Sequence, residues 1–224
     1  MATDPRRTTR PAPRRPGSVA MQETGGTIAP ALDPALRVRI DALMEDGRDL
    51  WDRFDIEVRQ HDWHPFVATD FDLLLRTLVA VREPGLRFLE WGSGMGVVTI
   101  MADLLGFDAA GIELDARLVD TARALAAKYD SRARFVAGSF LPAGYEYRSS
   151  TGDRRMGTIG EGESGYLALG QPLEDFDIVY GYPWSGEEPV MLDVMRTYGR
   201  RDARLLLHSG NLGIHTYRSG KRVP

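Results

Sequence analysis

The sequence predicts an α/β fold: a doubly wound, mainly parallel sheet, with helices ahead of it and a reduced C-terminal end. Three observations predict it. After Gly85, short apolar runs alternate with amphipathic stretches, the pattern of strands joined by helical crossovers. The first of these runs, Leu86–Trp91, ends in glycines that open a helix. The next run ends in an acid, Glu113, 19 residues after Gly94. The 224 residues, 43% hydrophobic and 27% charged, suffice for one domain of roughly 150–200 residues with an appendage.

Element by element, the reading begins with a tail. Residues 1–30 carry Pro5, Pro11, Pro13, Pro16 and Pro30 with Gly17, Gly25 and Gly26, and no helical or strand period, so they are expected to be disordered. From Pro34, Leu36, Ile40, Leu43, Met44, Leu50, Trp51 and Phe54 form the stripe of an amphipathic helix. Asp33 is placed to cap it, with Pro34 in the first turn. A second helix is expected over 69–81, stopped by Glu83-Pro84-Gly85. These two make a helical flank or lid over residues 31–85. In the domain that follows, 86–224, helices are expected at Val97–Leu105, Ala116–Tyr129 and Pro189–Tyr198. Strands are expected at Asp108–Glu113, Arg134–Ala137, Asp177–Tyr180 and Ala203–His208. Residues 141–175 hold seven glycines and little periodicity, which reads as a long functional or mobile insertion. Only 16 residues follow His208, room for one edge strand over 211–218 with Ile214 facing inward.

Composition excludes several classes. Cysteine is absent, so there is no disulfide framework, thiolate metal site or cysteine nucleophile. No apolar run approaches the ~20 residues that span a bilayer, and no export signal precedes the domain. A soluble cytoplasmic protein without membrane attachment is expected. The net charge of −4 is split: five arginines against Asp4 give +4 in residues 1–20, so the remainder carries −8. An acidic body argues against a nucleic-acid groove through the domain. His61 and His64 flank Trp63 without a third ligand at suitable spacing, so no metal site is assigned.

Gly92-Ser93-Gly94 lets the backbone turn sharply and approach a ligand, and the helix after it offers free N–H groups. A carboxylate at the end of the next strand accepts ribose hydroxyls, which is the role expected of Glu113. Together these point to a nucleotide-like ligand. Dinucleotide sites space their glycines G-x-G-x-x-G. Here the spacing is G-x-G-x-G, with Val97 where the third glycine of that pattern should fall. Glu90, directly before the turn, would repel a pyrophosphate but suits a ligand bearing an ammonium and a sulfonium. A nicotinamide-dependent oxidoreductase is therefore the weaker alternative.

Glu90–Gly96, Gly111-Ile112-Glu113-Leu114-Asp115 and the alternating layout resemble the class I S-adenosylmethionine-dependent methyltransferases, whose fold is Rossmann-like. The resemblance covers residues 60–210. It implies S-adenosylmethionine as cofactor, with Glu90, Gly92, Ser93 and Gly94 along its methionine part, Glu113 on the ribose and Leu114 on the adenine. Where the family often has an acidic or amide residue near the adenine amino group, this chain has Gly138-Ser139, and Ser139 offers a hydroxyl. His64–Asp70 is similar to a segment that some members fold over the cofactor.

The resemblance places the acceptor loop after the fourth strand, at Tyr180-Gly181-Tyr182-Pro183-Trp184. Pro183-Trp184 fits the end of the pattern of amino-group methylating members, but Gly181 and Tyr182 depart from its start. Tyr182 and Trp184 are expected to wall an aromatic or cationic acceptor, and His208 is the candidate general base. The implied activity is methyl transfer to a small molecule or protein side chain. A binding or regulatory module that keeps the cofactor site without catalysis is the alternative. The short C-terminus leaves the acceptor pocket to be completed by residues 141–175, the N-terminal helices or a second subunit of a homo-oligomer.

Overall fold

A computed structural model describes residues 32–62, 64–147, 159, 162–184 and 186–223. The expected tail, and residues 148–158 and 160–161 of the glycine-rich insertion, lie outside the described residues.

Helix α1, Pro34–Phe54, begins as its sequence dictates: the Asp33 carboxylate accepts from the backbone N–H groups of Ala35 and Leu36, satisfying donors that no preceding turn can reach. It runs into one π-helical turn, Asp55–Arg59. Helix α2, Phe71–Val81, is capped by Asp70, which accepts from Leu73 N–H at 2.9 Å. Then follow β1 (Arg87–Trp91), α3 (Val97–Leu104), β2 (Asp108–Glu113), α4 (Ala116–Lys128) and β3 (Arg134–Ala137). Helix α5 (Gly165–Leu169), β4 (Ile178–Gly181), α6 (Glu188–Tyr198), β5 (Arg204–His208), β6 (Ile214–Arg218) and β7 (Lys221–Val223) complete the described chain.

The strands form one sheet in the order β3-β2-β1-β4-β5-β6-β7. The first five are parallel, and β6 and β7 are antiparallel additions. This is the expected doubly wound, mainly parallel architecture. The chain reverses direction across the sheet between β1 and β4, and such a switch opens a crevice at the carboxyl ends of the strands. Trp91, Glu113, Ala137, Gly181 and His208 stand at those ends.

Alternate residues of each strand enter different cores, the two-residue period of a sheet covered on both faces. Phe88, Tyr180 and Leu206 pack with Ile40 and Leu43 of α1, Leu74 and Leu78 of α2, and Ile100 and Met101 of α3. Leu89, Val179, Leu205 and Leu207 pack on the other face with Tyr166 of α5 and Met191 and Val194 of α6. The N-terminal helices thus share a core with the sheet. Gly47 makes this close packing feasible, because a Cβ there would lie 2.8 Å from Val97 Cγ2.

Several described elements were not expected, among them short 3₁₀ turns at Leu173–Asp175 and Gly210–Leu212. Helix α5 lies within the glycine-rich segment, and the π turn extends α1. Strand β7 hairpins back on β6, so two strands follow β5 where one edge strand was expected. Ile214 is half-buried, as its expected inward orientation requires.

Candidate cofactor and acceptor site

The turn after β1 is built by two amides: Gly92 and Ser93 N–H both donate to Ile112 O, at 2.9 and 3.0 Å, tying the bend to β2. Gly94 (φ +51°) and Gly96 (φ +80°) take left-handed conformations that only glycine adopts without strain. Gly96 also has no room for a side chain, since a Cβ would lie 2.7 Å from both Ala122 Cβ and Phe135 Cζ. Beside Gly92, by contrast, the Cβ position has no atom within 4 Å, so its backbone is open to a ligand.

Glu113 turns its carboxylate to this bend. Oε2 accepts from Gly94 N–H at 2.8 Å and Oε1 from Asp115 N–H at 3.0 Å. Burial raises its pKa, opposed by the backbone amides of Asp115, Gly94 and Leu114, which favour the charged form. A carboxylate offers about four lone-pair sites, so capacity remains for hydroxyl donors. Glu113 lines a cleft of 290 Å³ together with Gly92, Leu114, Gly138, Phe140, Tyr182 and Trp184. Trp91 stacks on Phe140 at 5.0 Å and donates its indole N–H to Tyr166 Oη at 2.8 Å, which fixes this wall.

Glu90 stands behind the turn, buried, and its Oε2 accepts from Thr99 Oγ1 at 2.5 Å. Burial pushes its carboxyl up to about 8; the Thr99 contacts oppose that shift and the charge of Glu113 adds to it. Glu90 and Ser93 line a smaller chamber of 40 Å³ with Phe66, Thr69, Tyr180 and Tyr182. The buried Ser93 hydroxyl has no hydrogen-bond partner among the described residues.

The segment His64–Asp70 closes one side of both cavities. His64, Pro65, Phe66 and Val67 line the larger one. Phe66 N–H donates to His64 Nδ1 at 3.1 Å, leaving Nε2 as the donor toward Asp115 Oδ2 at 3.3 Å. Asp115 is held down at about 2, chiefly by its hydrogen bond with Arg117. Thr69 Oγ1 meets Tyr180 Oη at 2.9 Å and His208 Nδ1 at 3.2 Å.

Of the expected site residues, Glu90, Gly92, Ser93, Glu113, Leu114, Tyr182 and Trp184 line one or both cavities. Gly94 meets Glu113 at their edge. Ser139 departs: it is buried, and its hydroxyl accepts from Leu141 N–H at 3.2 Å, while its neighbours Gly138 and Phe140 face the cleft. The backbone pairing of Ser139 with Ser164 holds it in that orientation. His208 also departs. It is buried with its ring stacked on Tyr182 at 4.4 Å and 12°, and Tyr182 is the one of the pair that lines the cavities. Burial lowers its pKa, offset in part by the Gly210 backbone and the Asp70 charge. Thr99, Phe140 and the Thr69–Tyr180 contact were not anticipated. Thr99 carried a signal, a polar residue nine positions after Glu90 in an otherwise apolar helical run.

The donor set fits an adenosine ligand with an amino-acid chain. Glu113 has acceptor capacity for a ribose, Leu114 and Phe140 flank space for a flat base, and Gly92 leaves its backbone uncovered. Among the described residues, no group of three or more histidine and acidic side chains is placed to hold a metal ion. No described helix is long and apolar enough to cross a membrane.

No protein-family model matches the chain. A ribosomal protein L11 methyltransferase from Thermus thermophilus is 37% identical over 71 residues, which is 32% of this chain and 28% of that protein. The match therefore spans well under a third of the relative's length. An RNA methyltransferase from Salinibacter ruber, solved with S-adenosyl-L-homocysteine, superposes with a TM-score of 0.50 at 14% identity, over 70% of this chain and 97% of that one. A methyltransferase from Thiobacillus denitrificans, solved with the same ligand, gives 0.44 at 18% identity, over 70% and 54%. The order of its sheet and the superposition on the Salinibacter ruber protein show a Rossmann-like, doubly wound α/β fold of the kind that methyltransferase has.

Proposed function

We propose that the protein binds S-adenosylmethionine and transfers its methyl group to a small molecule or a protein side chain. One observation carries this reading: the glycine turn and the Glu113 carboxylate line a cleft that continues without interruption to Tyr182 and Trp184. A ligand site and an acceptor wall thus share one space at the switch point of the sheet. The segment shared with the L11 methyltransferase, whose name states a protein acceptor, is consistent with the protein side chain.

When bound, the cofactor supplies an activated sulfonium methyl group, and the protein's tasks are alignment and exclusion of water. Glu113 orients the ribose, and the Gly92 backbone and the Ser93 hydroxyl offer polar contacts to the amino-acid part. Glu90, whose pKa is raised by burial and further by the charge of Glu113, lines the chamber beside the turn with Ser93. Tyr182 and Trp184 supply faces on which an aromatic or cationic acceptor stacks. The Tyr182 ring is held by His208 beneath it, so His208 is assigned to positioning that ring. Its neutral, buried imidazole is engaged by Thr69.

The test incubates the protein with methyl-labelled cofactor and a panel of amines, phenols and basic peptides. Label transferred in excess over enzyme supports the reading. Binding of the cofactor without transfer to any of them would leave a non-catalytic module instead.

A further inference from the structure

The ring of Phe66 rests on the glycine turn and lines the smaller chamber together with Glu90 and Ser93. A Cβ built on Gly94 would collide with Phe66 Cε2, so the ring lies directly against the buried Gly94 backbone. It is supported from behind by two aromatic edges, Trp51 at 5.2 Å and Phe54 at 5.6 Å. Its segment is pinned at one end by His64 on Asp115 and at the other by Thr69 on Tyr180 and His208. The two halves of the site therefore differ. The cleft beside Glu113 measures 290 Å³. The chamber beside Glu90, Ser93 and Thr69 measures 40 Å³, room for a few waters at about 10–15 Å³ each.

We propose that Phe66 is an internal competitor for the amino-acid half of the site and so sets selectivity among adenosine-bearing ligands. The inference rests on the cofactor reading above. Phe66 lines the larger cleft as well, but that cleft has its 290 Å³ with the ring in place, so an adenosine group enters it without moving the ring, whereas a ligand that also carries an amino-acid chain requires the ring displaced. A ligand that binds only the displaced state has its affinity reduced by the fraction of molecules in that state. That reduction falls on S-adenosylhomocysteine and is absent for 5′-methylthioadenosine, which has the same nucleoside without the amino-acid chain. Removing the ring lifts the reduction for the first ligand alone.

The experiment is calorimetric titration of the wild-type, Phe66→Ala and Phe66→Trp proteins with both ligands, after thermal unfolding shows each variant folded. Phe66→Ala is expected to bind S-adenosylhomocysteine roughly tenfold more tightly, and 5′-methylthioadenosine within about twofold of wild type. Phe66→Trp, with a larger ring, is expected to weaken the first ligand and spare the second, and carries the test if the alanine variant does not fold. Unchanged or weaker binding of S-adenosylhomocysteine by Phe66→Ala overturns the proposal, because the ring would then be a wall that adds contacts to the ligand. That result leaves the cofactor reading standing. Failure of every form to bind either ligand removes both.

Discussion

Gly94 N–H donates to Glu113 Oε2 at 2.8 Å, so the turn after β1 and the acid that ends β2 are one unit. Parallel pairing brings them together: Trp91 lies opposite Ile112, one residue before Glu113. The bond holds the carboxylate at the edge of the cleft, where its remaining lone pairs meet whatever sits there. A half-buried acid with a backbone donor on each oxygen and a side open to the cleft keeps acceptor capacity for a hydroxyl-bearing ligand.

The buried pair of Glu90 and Thr99 gives a stability prediction. Thr99→Val keeps the shape but removes the hydroxyl that donates to Glu90, leaving a buried carboxyl short of a partner. The expected cost is about 1–3 kcal/mol, read from urea unfolding at neutral pH. Thr99→Ser should recover most of it, and equal stability of the valine variant would contradict the assignment.

Glu90 also gives a pH dependence. Its carboxyl is raised in the folded protein from an ordinary 4.5 to about 8, so between these values the native state holds a proton that the unfolded state has released. The stabilising contribution is complete below the unfolded value and is lost as pH rises through the folded one, at up to about 1.4 kcal/mol per pH unit. Glu113, raised in the same direction, adds to the slope. Unfolding measured at pH 5.5, 6.5 and 7.5, values chosen to fall inside this window, should show falling stability that flattens in Glu90→Gln. An identical slope in the variant would refute the origin.

Gly96 tests the architecture of the turn. Its φ of +80° and the nearby Ala122 and Phe135 atoms leave no place for a methyl group. Gly96→Ala should cost about 1–3 kcal/mol by thermal or denaturant unfolding. A variant as stable as wild type would show that the turn relaxes freely.

The acceptor wall separates binding from turnover. Tyr182→Ala and Trp184→Ala should lower methyl transfer by about tenfold or more, corresponding to about 1.4 kcal/mol, while cofactor affinity stays within about threefold. Loss of cofactor affinity equal to the loss of rate would place both rings in the nucleoside site instead.

Much of this was legible along the chain. Strands β2 and β3 match their expected limits because buried parallel strands are short apolar runs with clear breaks on either side. The Asp33 cap follows from local chemistry alone, whereas the second helix starts at Phe71, with Asp70 as its cap, two residues after its expected start. Helix α5 was not legible, because its first residue, Gly165, packs so closely on Ile112 that a Cβ would lie 2.7 Å from Ile112 Cγ2. Close approach demands a glycine that local patterning assigns to a loop. Strand β7 lacks apolar alternation: Lys221 and Arg222 are exposed on an edge, where charge guards against further pairing. His208 was correctly placed at a strand end, but the stacking that turns its ring under Tyr182 is a long-range contact that spacing does not encode. Phe66 on Gly94 is another such contact.

The most direct measurement is isothermal titration of the wild-type protein and Glu113→Ala with S-adenosylhomocysteine, both confirmed folded by circular dichroism. The account predicts saturable one-to-one binding by the wild type and affinity lower by about tenfold or more in the variant, the loss expected when a charged hydrogen-bond acceptor to the ribose is removed. Equal affinity in the two proteins, or no binding by the wild type at millimolar ligand, would contradict it.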